Sequence, residues 1–404
     1  DRGNGDPTLC LFGEDVTPNA HALARQFVTL DAFFVDAEVS YDGHAFSTGA
    51  IATDFVEKIW PTNYGGRGAR YLSEGGGPQR NPYGNVAAPA LGYIWDVVKR
   101  AGKTVRSYGE FAERGFSPEW DRDGGVGDVS ATVPGLRGLV HPKYPPFDLS
   151  IPDSRRIDIW LEEFREFERN GQLPALSIIR LGGDHTAGTR PGYPTPRAMI
   201  AENDVALGRL VETISKSRFW NESAIFVLED DAQNGPDHVD AHRSQAFVVS
   251  PFVKRGSTVS TLYTTSGMLR TIELILGAEP MTQYDAAATP MYDVFQSTPD
   301  VTPYTRVEAR VPIDEKNDKF SYGAQASLKM NLEEVDRAPE YELNVILWKS
   351  VRGADSIMPP PVRAAFLRAS GSDDDEGEAG AQEDEDAGPP RAVMKSPKDP
   401  KPPK

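Results

Sequence analysis

Residues 224–243 read AIFVLEDDAQNGPDHVDAHR. Ala224-Ile225-Phe226-Val227-Leu228 is a short apolar strand. Directly beyond it, residues 229–243 carry five carboxylates and two imidazoles. That much negative charge at a buried strand end is unfavourable without a counter-ion. A bound divalent cation removes the conflict. Carboxylate plus imidazole suits zinc, manganese or iron, and carboxylates alone suit calcium or magnesium. The bland reading, a solvated acidic loop, fits the two histidines and the strand context poorly.

Moving outward, strands and helices alternate. Ala246-Phe247-Val248-Val249 reads as the next strand, and Met268 to Leu276 as a helix ended by Gly277. Upstream, Leu207, Leu210, Val211 and Ile214 mark an amphipathic helix, and Leu176 to Leu181 a strand. Ile157, Trp160, Leu161, Phe164 and Phe167 mark another helix. Thr104-Val105-Arg106 and Ala32-Phe33-Phe34-Val35 read as strands, Ala90 to Arg100 as a helix, and Ala45 to Trp60 as a helix that Pro61 ends. The alternation predicts an α/β fold, a mostly parallel central sheet flanked by helices. No internal repeat is visible. Residues 61–90, rich in Gly, Pro and Asn, read as a long loop near a site.

The chain has 404 residues and a net charge of −17. That charge argues against a general binder of nucleic acid or of anionic membranes. The single cysteine, Cys10, excludes an internal disulfide and any CxxC metal cluster. No apolar run is long enough to span a membrane. From Gly371 to Asp386 there are nine acidic residues and no basic ones. A basic, proline-rich end follows, and the whole tail is expected to be disordered. The division expected is a body over 1–300, its C-terminal extension over 301–368, and the tail over 369–404.

In open α/β sheets ligands bind beyond the carboxyl ends of strands, and two more such loops carry suitable groups. Leu181-Gly182-Gly183-Asp184-His185 follows one strand; Asp184 and His185 could ligate a metal or form a polar turn. Asp36-Ala37-Glu38-Val39-Ser40-Tyr41-Asp42-Gly43-His44 lies between a strand and a helix. A serine at such a junction sets its Oγ among helix N-terminal amides, which favour negative charge. Ser40 is the candidate nucleophile, with Ser47 its rival, and His44 is the histidine close in sequence. A serine beside a cation can displace the leaving group of a phosphate ester in line. The cation also lets an acidic protein bind an anionic ester.

These stretches, with the continuation DAEVSYDGHAFSTGAIATDFVEKIWPTNYGGRG over 36–68, resemble a phosphoesterase family. It includes phosphatidylcholine-type phospholipases C and metal-dependent acid phosphatases, within the alkaline-phosphatase-like superfamily. The likeness extends over roughly residues 1–365 and is to a bacterial branch whose domain often follows a β-propeller. The resemblance implies Ser40 as nucleophile and His44 as the match to a nearby Asn-His pair. It implies Asp230 and Asp231 as a metal-binding pair, with Asp184, His185 and either His238 or His242 around a second cation. It also implies a secreted or periplasmic setting, an upstream β-propeller in the complete protein, and a small phosphate ester or phospholipid head group as partner. The family opens with a strand ending in an acidic residue beside Asn or Thr. No Glu-Asn pair precedes Asp1, so the expectation is an alkaline-phosphatase-like fold missing its first strand.

The reading is a metal-dependent phosphoric-ester hydrolase that passes through a phosphoserine, using zinc, manganese, calcium or iron. Arg67, in Asn63-Tyr64-Gly65-Gly66-Arg67-Gly68, is a candidate for a substrate phosphate. The alternative is a truncated, catalytically silent metal-binding or interaction module of the same fold. A sulfatase-like enzyme is disfavoured, since no Cys or Ser lies in a Cys/Ser-x-Pro-x-Arg context.

Overall fold

The computed structural model describes residues 3, 5–68, 86–115, 129–233 and 239–361. His238, most of the 61–90 loop and the acidic tail lie outside the described residues. In chain order the elements are α1 (Pro18–Gln26), β1 (Val28–Leu30), β2 (Phe33–Phe34), α2 (Ser40–Gly49), α3 (Asp54–Asn63), α4 (Ile94–Arg100), β3 (Val105–Tyr108), β4 (Ala112–Arg114) and β5 (Val129–Ala131). Then come α5 (Asp153–Asn170), β6 (Leu176–Ile179), α6 (Pro196–Lys216), β7 (Ile225–Leu228), β8 (Ala246–Val249), β9 (Ser257–Val259), β10 (Tyr263–Thr264), α7 (Thr265–Leu276), α8 (Gln283–Ala287), α9 (Ala324–Ser327) and α10 (Glu340–Arg352).

The α/β class is the expected one. The pairing is more mixed than a mostly parallel sheet. The largest sheet has the order β7-β8-β1-β9, and β2–β10, β3–β6 and β4–β5 are separate pairs. The β1–β9, β2–β10 and β3–β6 pairs are parallel, whereas β1–β8, β7–β8 and β4–β5 are antiparallel. Parallel neighbours need a crossover, usually a helix. The connection from β7 to β8 shows no helix among its described residues, so the chain returns antiparallel, with Ile225 opposite Val249 and Leu228 opposite Ala246.

β8 is buried throughout, whereas β6 and β7 are only half-buried. Among the described residues each of these two pairs on one side only. The main core packs α1, α5 and α6 on the large sheet through Leu23, Phe27, Ile157, Phe164, Val211 and Val248. A second core gathers α4, β3–β5 and α7 around Trp95, Phe111, Leu136 and Leu269.

The expected helix from Ala45 to Trp60 is two helices. α2 begins earlier, at Ser40. It stops at Ala50, which adopts a left-handed conformation with φ 52°. A new start follows, where the Thr53 hydroxyl accepts from Val56 N at 3.4 Å. Pro61 falls inside the last turn of α3 rather than ending it. No described helix is long and apolar enough to cross a membrane.

Candidate active site

Two backbone devices bring the 229–243 loop to the start of α2. Residues 242–244 run beside 33–35, with Val35 N donating to His242 O at 2.9 Å and Ser244 N to Phe33 O at 3.0 Å. At Gly43, α2 touches the end of β7. A Cβ there would lie 2.7 Å from Asp230 O and 3.1 Å from its Oδ2, so only glycine allows this approach.

Ser40, the first residue of α2, is buried. Its Oγ donates to Asp231 Oδ2 at 2.8 Å. Ser47, one to two turns on, reaches only the carbonyl of His44, at 3.5 Å. Burial, then the charges of Asp230 and Asp336, raise Asp231 well above the ordinary carboxylate range. Asp336 was not foreseen. Its carboxylate accepts from Ser40 N at 3.1 Å and Tyr41 N at 2.8 Å, while Gln233 Nε2 reaches both Asp231 and Asp336 at 3.3 Å.

His44 lies one turn along α2 and is also buried. Its Nδ1 is 2.7 Å from Glu110 Oε1, and its Nε2 is 2.9 Å from Arg180 Nη2 and 3.4 Å from Asp230 Oδ2. Burial disfavours charge on the ring, Glu110 and Asp230 favour it strongly enough to raise the pKa to about 9, and Arg180 opposes it. The contact pattern decides against that rise. A guanidinium only donates, and two donors do not face each other at 2.9 Å, so the ring here is the neutral Nδ1–H tautomer. Against its own burial, Glu110 is held below the ordinary range by His44 and Arg180. Neither Glu110 nor Arg180 was foreseen. Arg180 carried the better signal, a cation closing an apolar strand.

Asp184 and His185 sit on the short turn Gly183–His185 beyond β6. Asp153 holds that turn by accepting from Gly182 N at 3.2 Å and Gly183 N at 2.8 Å. Burial, then neighbouring Glu229, push Asp184 far above its ordinary range. His185 is pushed down by burial; its Nδ1–H donates to Thr186 O at 3.1 Å, and its ring packs edge-on to Phe147. His242 uses both ring nitrogens on carboxylates, Nε2 on Glu38 at 3.0 Å and Nδ1 on Asp240 at 2.8 Å. The Glu38 bond leads in raising it to about 9, against partial burial. Arg67 donates Nε–H to Tyr64 O at 2.9 Å and lies over the Tyr64 ring.

Asp230 Oδ2 is buried and accepts no hydrogen bond. A carboxyl oxygen in that state is one that a cation would satisfy. Asp230, Asp231 and the Ser40 hydroxyl present hard oxygen donors, which fit a divalent ion by charge and type. Among the described residues no three His, Cys, Asp or Glu converge to enclose one.

The α/β scaffold thus sets Ser40, the first residue of α2, against Asp231. The model of the phosphoesterase family matches residues 4–278, and the chain belongs to that family. Phosphoester hydrolysis is accordingly its general chemistry. No curated protein matches the chain. Among solved structures, a protein of the alkaline phosphatase superfamily from Vibrio parahaemolyticus is similar at 15% identity and a TM-score of 0.44, over 79% of this chain and 83% of that one. Human ectonucleotide pyrophosphatase/phosphodiesterase 5 is similar at 12% and 0.42, over 73% and 98%. The lipoteichoic acid synthase of Listeria monocytogenes is similar at 10% and 0.42, over 86% and 88%. Likenesses at these scores carry no argument about activity.

Proposed function

We propose that the chain hydrolyses phosphoric esters with Ser40 as nucleophile, assisted by a divalent cation held by Asp230 and Asp231. The observation that carries this reading is the 2.8 Å bond from Ser40 Oγ to Asp231 Oδ2 at the N-terminus of α2. A bound cation would lower the hydroxyl pKa and offset the phosphoryl charge.

The chain's own groups do the rest. Asp231 orients the Ser40 hydroxyl and accepts its hydrogen bond. The Oγ–phosphorus bond forms as the ester oxygen–phosphorus bond breaks, the Oγ proton passes by way of Asp231 to solvent, and the alcohol leaves with a proton from solvent. Water then cleaves the phosphoserine, giving inorganic phosphate and returning a proton to Oγ. Glu110 and Arg180 fix the His44 ring, which packs beside Asp230. Asp184 and His185 flank the same cluster through Glu229 and Asp230, and His242 clamps the loop that carries the aspartates. Arg67, held beside Tyr64, offers its other N–H groups to a phosphoryl oxygen. The substrates proposed are small phosphate esters or phospholipid head groups.

The test compares Ser40→Ala with Ser47→Ala on a chromogenic phosphate monoester and diester, with added zinc, manganese or calcium. Ser40→Ala should lose at least about a hundredfold in kcat, and Ser47→Ala should keep native rates. The reverse ranking would move the nucleophile to Ser47.

A further inference from the structure

An α-helix leaves its first N–H groups without partners inside the helix, and the residue just before it usually supplies a side-chain acceptor. Before α2 that residue is Val39, which has none. Asp42 turns backward instead, accepting from Glu38 N and Val39 N at 2.9 Å each. The amides of Ser40 and Tyr41 are met by Asp336, 296 residues beyond Ser40, one amide on each carboxylate oxygen.

The position is costly. Asp336 is 4% exposed and adopts a left-handed backbone with φ 57°, which non-glycine residues seldom do. It also crowds Asp231, whose ionisation it discourages. Two charge-assisted bonds at the positive end of a helix offset these costs. Gly65 N, donating to Asp336 O at 2.8 Å, holds the turn itself.

We propose that Asp336 is a positioning residue for the nucleophile: it fixes the backbone of Ser40 so that Oγ stays on Asp231. The inference rests on the reading of Ser40 given above. The amide it grips is that of the attacking residue, so its loss frees the Ser40 Cα–Cβ direction before it disturbs anything else. A rival use of the same place exists. A helix N-terminus also suits a phosphoryl oxygen, and Asp336 would then be a plug that substrate must displace.

The test uses the full chain as Asp336→Asn, Asp336→Ala and Ser40→Ala. Rates are measured on a chromogenic phosphate diester with manganese, alongside amide hydrogen exchange of the unliganded chain. Asp336→Asn keeps one acceptor oxygen and the side-chain shape, so it carries the test should the alanine variant fail to fold. The expected result is a kcat lower by about tenfold in the asparagine and about a hundredfold in the alanine variant, with KM within about twofold. Exchange should quicken at Ser40 and Tyr41 and stay native elsewhere.

Native kcat, or native protection of those two amides, overturns the inference. A lower KM with tighter inhibition by inorganic phosphate overturns it in favour of the plug. Native rates in Ser40→Ala would remove the nucleophile reading itself, whereas loss there beside native rates in both Asp336 variants removes only this inference.

Discussion

Asp230 keeps one carboxylate oxygen out of water and without a hydrogen bond, and a single substitution there should act with opposite signs in two conditions. Without added metal, Asp230→Asn relieves the acidic crowding around Asp231 and Asp184, and the variant should be more stable by about 1 kcal/mol. With manganese or zinc present, the native chain gains binding free energy that the variant forgoes. Native protein should then melt higher, and phosphoester hydrolysis by Asp230→Asn should be lost. Thermal melts with and without metal measure both halves. Equal metal-induced shifts in the two proteins would sink the assignment of Asp230 as a ligand. At this scale the sequence was informative where chemistry clustered locally. Five acids after an apolar strand pointed to Asp230 and Asp231, and a serine at a strand-to-helix junction pointed to Ser40. Asp336 carried no comparable signal, because its meaning lies in a contact across 296 residues.

The relation of α2 to β7 is the part of the fold that builds the site, and it depends on the smallest residue in it. Gly43→Ala would place a methyl 2.7 Å from a backbone carbonyl that cannot swing aside. The helix must retreat, and overpacking of this kind costs about 1–3 kcal/mol. Because Ser40 rides on the same helix, the retreat should lengthen its bond to Asp231. Chemical denaturation should show the stability loss, and kcat should fall more than stability alone explains at temperatures where the variant is folded. A variant with native stability and native kcat would show that the helix has slack.

Elements were readable from the sequence where periodicity was strong. α5, α6, α7 and β8 lie where the apolar spacing put them. The break at Ala50 was missed because a left-handed alanine has no compositional mark, and β1 was missed because three residues carry no usable pattern. The antiparallel return of β8 was invisible for another reason. Parallel and antiparallel strands share one apolar pattern, and what tells them apart is the connection, which shows no helix among its described residues.

Over the whole molecule, buried polar clamps join segments that are distant in sequence. Asp204 on α6 accepts from Asn19 N at 2.8 Å and Ala20 N at 2.7 Å, at the start of α1. Asn19 Oδ1 accepts in turn from Tyr304 OH at 2.7 Å and Val307 N at 2.8 Å. The segment after residue 300 is thus bonded into the body, and the same segment delivers Asp336 to Ser40.

One such clamp ties stability to pH. Asp285 accepts from Met281 N, Thr282 N and Ala286 N at 2.7–2.9 Å. Glu273 on α7 lies buried beside it with one oxygen unpartnered. Burial first, then Asp285, push Glu273 up to about 8, with Arg270 opposing. Its folded pKa is therefore above its unfolded value, so the fold prefers the protonated acid. That contribution is complete below the ordinary glutamate range near pH 4.5 and is lost as pH rises through about 8. Glu273→Gln keeps a donor toward Asp285 and cannot ionise. Its melting temperature should hold steady from pH 5 to about 9, while that of the native chain falls across the same window. Parallel slopes for the two proteins would mean that Glu273 does not carry the proton that joins α7 to α8.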